Sequence, residues 1–185
     1  DQELIIIDTL AASAQLKSAA LLAGLSDPRP IVVRESRLSR DHSERMLSAL
    51  WGSELKDRSS ESLQTSLPAL KPALKPLDFT SPGDFSSAAF WIAISALSPP
   101  AAPTITLDNL NLNPARMGLY HLASRMGIRL EAQVKECRLG EPVGTLIIYP
   151  RAIHQPLKAV NLSRQEVVDA LDELPLVALL ASFAE

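Results

Sequence analysis

Cysteine, histidine and aromatic residues are scarce in this sequence of 185 residues. Cys137 is the single cysteine, which excludes an internal disulfide and a cysteine-rich metal site. A lone cysteine is typical of a reducing compartment, so we expect a cytoplasmic location and no secretion. The histidines are scattered and form no metal-ligand grouping with Cys137, so we expect no metal. They are His42, His121 and His154.

The sequence also lacks a basic excess and any long hydrophobic run. Lys and Arg number 18 against 21 Asp and Glu, a formal charge of -3, so the basic footprint of a nucleic-acid binder is absent. The best apolar runs, residues 19–25 and 88–94, are much shorter than the roughly 20 residues that span a bilayer. No glycine-rich nucleotide loop occurs, which gives ATP-dependent transfer no support. We therefore expect neither nucleic acid nor a membrane as a partner.

The overall composition is typical of a globular protein. Apolar residues make up 46% of the chain and charged residues 21%, which disfavours a disordered tail, a collagen-like chain or a disulfide scaffold. The length allows one domain or two small ones. The chain begins at Asp1 rather than at a methionine and ends at Glu185 within an apolar pattern typical of a helix. We expect that it is part of a longer protein, with no signal or transit peptide directly before the strand-like residues 4–7.

Helix and strand patterns alternate in the first half of the chain. Residues 13–25 contain strong helix formers behind a serine cap and predict a helix. Residues 31–33 predict a buried strand, and residues 41–51 predict a second helix. Asp41 and Glu44 have the spacing of a capping box at the start of that helix.

The same order of helix, strand and helix recurs in the second half. A helix is predicted from residue 83 to about 97, residues 104–107 alternate like a strand, and Asn-Pro starts a helix over 113–127. A third unit is expected to begin at Asp172, because the alanines and leucines after it resemble the first helix of each earlier unit. The repeat predicts an array of α/β units rather than a single doubly wound sheet.

Small residues and prolines mark two further features of the repeat. Residues 18–20 and 87–89 both read Ser-Ala-Ala in the first helix of their units. Small side chains let helices approach a neighbouring layer closely, so we expect both alanine pairs to be buried. Between the units, the prolines of residues 67–76 (LPALKPALKP) exclude a helix and predict a loop or edge strand.

Four short motifs at helix starts point to a family. They are residues 13–17 (SAQLK), 40–44 (RDHSE), 83–87 (GDFSS) and 113–116 (NPAR). In this order and spacing they resemble 5-enolpyruvylshikimate-3-phosphate synthase, particularly its second, bacterial class. Residues 18–25 and 171–175 extend the resemblance to nearly the whole chain. The family usually has threonine in place of Ala115, so a hydroxyl is missing there, whereas Asn113 and Pro114 remain a good cap and first helical position.

The resemblance implies a fold and a domain arrangement. The fold is α/β, built from repeated βαβαββ units of the enolpyruvyl transferase type, an inverse α/β barrel that is incomplete in this chain. Residues 1–81 are expected to be the last unit of the first globular domain. Residues 82–185 are expected to be the first unit and the start of the second unit of the other globular domain.

The resemblance also implies an activity. The family enzyme transfers the enolpyruvyl group of phosphoenolpyruvate to the 5-hydroxyl of shikimate 3-phosphate in aromatic amino-acid biosynthesis, without a metal or organic cofactor. The expected partners are these two substrates and the remaining segments of the synthase. The family's early Lys-Ser and arginine elements and its late Lys-Glu-Ser-Asp-Arg segment are absent here, so we expect the isolated chain to be inactive. Tolerance of glyphosate is expected, as in many members of the second class.

Helix starts are suited to the two substrates, which are both polyanions. A helix N-terminus offers free N–H donors and a dipole worth about 0.3–1 kcal/mol per charge. By resemblance, Ser13, Ala14 and Gln15 contact shikimate 3-phosphate. Arg40 grips the same substrate, with Ser39 as a weaker neighbour. The alternatives are that Ser13 serves only as a helix cap and that Arg40 is only a solvated arginine.

By resemblance, Asp172 is the carboxylate that takes the proton from the attacking 5-hydroxyl. General-base work needs an ionised acceptor within hydrogen-bond reach of that hydroxyl. Only the alignment favours Asp172 over Glu173, and a helix-capping role for Asp172 is compatible with catalysis. A structural ion pair is one of two equal expectations for Arg116. We expect Asp84 and Ser86 to organise the crossing between domains rather than to perform chemistry.

Two alternative functions remain open. UDP-N-acetylglucosamine enolpyruvyl transferase shares the fold and the phosphoenolpyruvate chemistry, but it is characterised by a cysteine in a mobile active-site loop. Cys137 lies between apparent strands, in a segment that does not resemble that loop. The other alternative, from a different class, is a noncatalytic binding or assembly fragment of a split or truncated synthase.

Overall fold

The computed structural model describes residues 3–11, 13–51, 63–69, 73, 78–152 and 155–185. The chain divides into two units, Asp1–Phe79 and Thr80–Glu185. Each unit contains a three-stranded sheet. Expectations for His154 and for most of the proline-rich segment, at residues 70–72 and 74–76, lie outside the described residues.

The sheet of the first unit has a parallel pair and an antiparallel pair. Its strands are β1 (Ile5–Thr9), β2 (Ile31–Glu35) and β3 (Gln64–Leu67). The central strand β2 is parallel to β1 and antiparallel to β3. β-branched residues dominate β1 and β2 and favour the extended backbone. Because parallel strands need a crossover connection, a helix lies between β1 and β2 in the chain.

The described part of this unit contains two helices, α1 (Ala14–Gly24) and α2 (His42–Trp51). The last residue of α1 lies close to the sheet, since a Cβ on Gly24 would be 2.7 Å from the Ile31 side chain. The buried apolar core consists of Leu21, Ile31, Val33, Leu47 and Leu67. The predicted helices over 13–25 and 41–51 and the predicted strand over 31–33 are confirmed.

The sheet of the second unit is antiparallel. Its strands are β4 (Ile105–Asn111), β5 (Leu130–Arg138) and β6 (Glu141–Ile148), in the order β4-β6-β5. β5 and β6 form a hairpin whose two turn residues, Leu139 and Gly140, have positive φ angles of 51° and 77°. Because β5 extends to Arg138, Cys137 lies inside this strand and is exposed. The expected position of Cys137 between strands is therefore wrong.

The helices of the second unit are α3 (Phe85–Leu97), α4 (Gly118–Arg125), α5 (Arg164–Asp169) and α6 (Leu174–Ala181). Two 3-10 turns precede α4 and α6, at Pro114–Arg116 and Leu171–Glu173. The predicted continuous helix over 113–127 is thus broken into a turn and α4. The Asn113 side chain closes the turn by accepting the Ala115 N–H at 2.8 Å.

The chain end also differs from its expectation. α6 stops at Ala181, and Ala184 forms a bridge with Leu157. The Glu185 N–H donates to the Leu157 carbonyl at 2.8 Å. The Glu185 N–H thus bonds to a distant strand-like segment instead of to the preceding helical turn, so the predicted helical end at Glu185 is wrong. No helix in the described part of the chain is long and apolar enough to cross a membrane.

From Gly83 onward, the second unit repeats the βαβαβ order of the first. Gly83 forms a parallel bridge with Leu110. The Gly83 N–H donates to the Asn109 carbonyl at 2.7 Å, and the Asn111 N–H donates to the Gly83 carbonyl at 2.9 Å. Gly83 therefore takes the place of a first strand before α3, as β1 does before α1. The order from Gly83 to β6 is βαβαββ, and the predicted α/β class with repeated units is confirmed.

The equivalent alanine pairs differ in burial. Ala88 and Ala89 of α3 are 3% and 0% exposed, as expected. Ala19 is exposed and Ala20 only half-buried, so the expectation is wrong for α1. The buried face of α1 consists of Lys17, Leu21 and Gly24. The spacing of three to four residues directs this face to the sheet and leaves Ala19 on the other side of the helix.

Candidate functional site

The N-terminal ends of α1 and α2 lie at one edge of the first sheet. β1 and β2 are parallel and each is followed by its helix, so both helices begin at the carboxyl ends of the strands. The hydroxyl oxygens of Ser18 in α1 and Ser43 in α2 are 2.7 Å apart and join the two helices. Helix N-termini favour anions through their free N–H groups and dipoles. The arrangement brings the predicted substrate-binding residues of both helix starts to the same edge.

Ser13 is the N-cap of α1, as its alternative role predicted. Its hydroxyl oxygen accepts the Leu16 N–H at 3.3 Å, and its O–H donates to the Gln15 side-chain oxygen at 3.2 Å. Gln15 is exposed, whereas Ser13 and Ala14 are half-buried. The side-chain amide of Gln15 is thus held over the helix start, where its N–H₂ group can donate to an anion. Contact of these three residues with a substrate stays a prediction.

Ser39 and Arg40 lie immediately before α2. The buried Ser39 donates its backbone N–H to Glu35 Oε1 at 3.2 Å, and its hydroxyl makes a short hydrogen bond to the same oxygen. Arg40, the next residue, is half-buried. Glu35, at the end of β2, therefore fixes the backbone from which the Arg40 side chain extends. Binding of substrate by Ser39 and Arg40 also stays a prediction.

A buried lysine connects these elements. The Lys17 side chain is fully buried, and its Nζ lies 2.9 Å from Glu35 Oε2 and 2.8 Å from Glu44 Oε1. The Thr65 hydroxyl in β3 donates to the same Glu44 oxygen at 3.4 Å. A buried charge is tolerated only when partners replace the water it has lost. Lys17 therefore ties α1 to both β2 and α2, behind the predicted substrate-binding edge.

The sequence pattern did not predict this cluster. Lys17 lies in a motif in which it had no assigned role, and the position of Glu44 predicted helix capping. A charged residue on the apolar face of α1, at the spacing of Leu21 and Gly24, is the signal that was available. The partners could not be identified from that signal, because Glu35 and Glu44 become neighbours of Lys17 only when the two helices pack on the sheet.

In the second unit, Asp172 lies in the 3-10 turn before α6 and contacts Arg116. Its Oδ2 accepts a hydrogen bond from Arg116 Nη1 at 3.1 Å. The Arg116 Nη2 lies 3.0 Å from Asp84 Oδ1 and 3.8 Å from Glu173 Oε1, and it makes a short hydrogen bond to the Ser86 hydroxyl. Ser86 in turn donates to Glu173 Oε1 at 2.5 Å. The ion pair expected as one role of Arg116 is confirmed.

Burial distinguishes the two adjacent carboxylates. The Asp172 side chain is 45% exposed, whereas that of Glu173 is 3% exposed. A ligand can therefore reach Asp172 more readily than Glu173, which supports the preference taken from the alignment. Ala170 occupies the N-cap position of the turn and Glu173 that of α6, so Asp172 caps neither element. The capping role considered for Asp172 is wrong, and its role as a base stays a prediction.

Carboxylates with clearly lowered pKa values occur away from these residues. A hydrogen bond from the Thr145 hydroxyl at 2.5 Å, with Lys135 nearby, lowers the pKa of Asp108 on β4. Hydrogen bonds from the backbone and hydroxyl of Ser163 lower the pKa of Glu166 in α5. Among the described residues, no group of three or more His, Cys, Asp or Glu side chains is placed to hold a metal ion.

Comparison with known proteins gives these clusters a family context. Residues 3–185 match the family model of EPSP synthase (3-phosphoshikimate 1-carboxyvinyltransferase). The 3-phosphoshikimate 1-carboxyvinyltransferase of Bacillus subtilis (strain 168) is 41% identical over 174 residues, covering 94% of this chain and 38% of that protein. The relative of the same name from Synechococcus sp. (strain CC9605) is 40% identical over 182 residues, covering 97% and 39%.

A solved structure similar to this chain belongs to the same family as the sequence relatives. EPSP synthase from Acinetobacter baumannii superposes with a TM-score of 0.81 at 33% identity, covering 100% of this chain and 40% of that one. The chain thus spans about two fifths of the length of the proteins it matches. The match over residues 3–185 confirms the resemblance seen in the motifs. The chain belongs to the EPSP synthase family.

Proposed function

We propose that this chain carries part of the active site of a 3-phosphoshikimate 1-carboxyvinyltransferase. The enzyme would transfer the enolpyruvyl group of phosphoenolpyruvate to the 5-hydroxyl of shikimate 3-phosphate and release phosphate. The family match over residues 3–185 is the observation that carries this proposal. A cytoplasmic location and tolerance of glyphosate belong to the same proposal, as does the assignment of residues 1–81 and 82–185 to successive domains.

The first unit binds shikimate 3-phosphate in this proposal. Ser13, Ala14 and Gln15 offer N–H and side-chain donors at the start of α1, and Ser39 and Arg40 stand at the start of α2 at the same edge. A guanidinium forms paired, charge-assisted hydrogen bonds with phosphate or carboxylate. The buried contacts of Ser39 with Glu35 support this role, because they fix the backbone beside Arg40 before the substrate arrives.

The second unit supplies the base. Asp172 accepts the proton of the 5-hydroxyl while the 5-oxygen forms its bond to the enol carbon of phosphoenolpyruvate. The methylene carbon of phosphoenolpyruvate gains a proton from an acid in the same addition. Loss of phosphate from the adduct and of a proton from its methyl group then restores the enol double bond. The exposure of the Asp172 carboxylate supports its access to substrate.

The remaining catalytic groups lie outside this chain in our proposal. The carboxylate and phosphate of phosphoenolpyruvate require cations, and preorganised charges of this kind carry much of an enzyme's rate enhancement. By family resemblance, those cations and the acid come largely from segments that this chain lacks. We use the term complete synthase for the chain joined or combined with those remaining segments.

Phosphate release from the two substrates tests the proposal. We expect no turnover by the purified chain, turnover by the complete synthase, and strongly reduced turnover by the complete synthase with Asp172→Asn. Turnover should persist at glyphosate concentrations that inhibit a sensitive synthase assayed in parallel. A complete synthase that binds shikimate 3-phosphate without releasing phosphate would instead support the noncatalytic binding fragment. Robust turnover by the isolated chain would contradict the division of the active site.

A further inference from the structure

Arg116 joins three motifs that are far apart in the sequence. Asp84 and Ser86 come from the start of α3, Arg116 follows Asn-Pro before α4, and Asp172 and Glu173 come from the turn before α6. All four partners meet one guanidinium. We infer that Arg116 is a positioning residue that holds the Asp172 carboxylate ionised and in one orientation for proton transfer, an inference that rests on the proposed function.

The contacts divide between the two terminal nitrogens of Arg116. Nη2 lies within reach of Asp84, Ser86 and Glu173, and Nη1 donates to Asp172 at 3.1 Å. Because the guanidinium is planar and rigid, fixing Nη2 also fixes the direction in which Nη1 points. The Asp172 carboxylate is thereby held by a donor whose own position is set by the other three partners.

Burial separates the structural part of this cluster from the accessible part. The Arg116 side chain is 8% exposed and that of Glu173 is 3% exposed, whereas those of Asp84 and Asp172 are 58% and 45% exposed. The buried Glu173 and the half-buried Ser86 already provide partners for the Arg116 charge. The contact with Asp172 is therefore not needed to bury the arginine, and it places a fixed positive charge beside the carboxylate that substrate can reach.

The charges around Asp172 set the conditions for its work as a base. A nearby cation favours the ionised form of a carboxylate, and nearby anions disfavour it. Among the described residues, the cation in contact with Asp172 is Arg116, and the anions that share it are Asp84 and Glu173. The helices packed against this turn, α3 and α6, contain no charged residue. Arg116 and Asp84 should thus influence Asp172 in opposite directions.

The pH dependence of kcat/KM for the complete synthase tests the inference. Arg116→Met removes the cation, so the acid limb of the profile should move to higher pH by about 1–3 pH units, as for a carboxylate that loses an arginine neighbour. Asp84→Asn removes an anion and should move the limb to lower pH. Asparagine is as good an N-cap as aspartate, so α3 should remain intact in this variant. In both variants kcat should change more than the KM for shikimate 3-phosphate.

Arg125→Met is the matched control. Arg125 also pairs with a glutamate in the second unit, Glu166, but its side chain is 44% exposed and it also donates to the Asn161 carbonyl at 2.8 Å. We expect its pH profile to match the wild type. If Arg116→Met fails to fold, the pH profile of Asp84→Asn alone tests the inference. The Asp84 side chain is exposed, so its substitution should not prevent folding.

The outcomes separate this inference from the proposed function. An active wild type, an inactive Asp172→Asn variant and unshifted acid limbs for Arg116→Met and Asp84→Asn would overturn the role of Arg116 and leave the proposed function standing. An Asp172→Asn variant with wild-type activity would overturn both the base and its positioning residue. Absence of turnover by the wild-type complete synthase would overturn the proposed function and this inference with it.

Discussion

Lys17 places a positive charge in the interior of the first unit, where Glu35 and Glu44 take the place of the water that would solvate the charge in the unfolded chain. The cluster carries two negative charges and one positive charge, so loss of the lysine leaves two buried carboxylates without this cation. The same carboxylate of Glu35 accepts the backbone N–H of Ser39. A change at Lys17 is therefore transmitted to the backbone that leads to Arg40, although Lys17 itself is out of reach of solvent.

Lys17→Met should destabilise the chain by about 3–5 kcal/mol, the cost of leaving a buried ion pair without one partner. The free energy of unfolding in urea measures this loss. Lys135→Met is the control, because Lys135 pairs with Asp108 at the surface, where the two side chains are 58% and 69% exposed. Exposed pairs contribute about 0–1 kcal/mol. Equal losses in both variants would show that the buried cluster does not stabilise the fold.

Arg40→Ala should weaken the binding of shikimate 3-phosphate to the complete synthase by about tenfold or more. The reason is loss of a charge-assisted hydrogen bond, typically worth about 1.5–3 kcal/mol. Arg116→Ala should weaken binding less, because Arg116 acts on the base. Isothermal titration calorimetry measures both affinities.

Arg29→Ala provides the control for Arg40. Arg29 pairs with Asp27 and precedes β2, so it lies at the opposite end of that strand from the candidate site. Its removal should leave the affinity unchanged. Wild-type affinity in the Arg40→Ala variant would remove Arg40 from the substrate site.

At the scale of elements, local signals predicted helices better than they predicted the faces of those helices. The serine cap before α1 and the apolar pattern of α3 depend on neighbouring residues, and both helices are present as expected. The identical Ser-Ala-Ala segments differ in burial because α1 packs on its sheet through the face that contains Lys17 and Leu21, not through the face that contains Ala19. Such an orientation is set by packing with distant residues, which a repeat in the sequence does not reveal.

The break before α4 has a similar cause. Asn113 and Pro114 correctly predicted a helical start, but the chain makes a 3-10 turn and restarts at Gly118. A Cβ on Gly118 would lie 2.5 Å from the Asp169 backbone, so the restart is fitted closely to the end of α5. The turn also places Arg116 beside Asp172. The sequence pattern could not reveal this contact, because it joins segments that are far apart in the chain.

The capping box of α5 predicts a pH-dependent contribution to stability. Ser163 caps the helix, and its N–H and hydroxyl hold the pKa of Glu166 below its usual value. A carboxylate with a lowered pKa in the folded state stabilises the fold above its unfolded pKa, about 4.3 for glutamate, and this contribution is lost as the pH falls through the folded pKa.

Glu166→Gln should therefore lower the Tm of the chain at pH 7, with the difference from the wild type shrinking as the pH falls below about 4. Glutamine retains an oxygen for the capping box, so the comparison isolates the charge. Thermal unfolding followed by circular dichroism over this pH range measures the difference. A Tm difference that stays constant down to acidic pH would contradict a contribution from the ionised form.

At the scale of the whole molecule, the family could be predicted from the sequence because its motifs lie at helix starts. Individual residues there cap the helix, form a turn or bind a ligand. In our proposal, the substrate site depends in addition on segments of the family enzyme outside this chain. Some apolar side chains on the helices point to the same dependence. On α1, Leu16 and Leu22 are 54% and 52% exposed, and on α3, Phe90 and Trp91 are 60% and 47% exposed. Clusters of this kind on a helix surface mark a site of packing with another protein surface.

Leu22→Gln should raise by about tenfold or more the concentration of the remaining segments needed to restore turnover to the chain. Burial of a leucine contributes about 1.5–3 kcal/mol, and about 1.4 kcal/mol corresponds to tenfold in affinity. Glutamine is a good helix former, so α1 should remain folded. Activity as a function of the concentration of the added segments measures the effect.

Val134→Gln is the control for this last experiment. Val134 in β5 is 61% exposed, but the residues that follow it on the strand, Lys135 and Glu136, are charged and 58% and 53% exposed. A single exposed apolar residue among polar ones is ordinary for a protein surface. We expect the control to need the same concentration of added segments as the wild type. If Leu22→Gln also needs no more than the wild type, the exposed face of α1 is not a surface on which the synthase assembles, and the exposed side chains of α3 become the next to substitute.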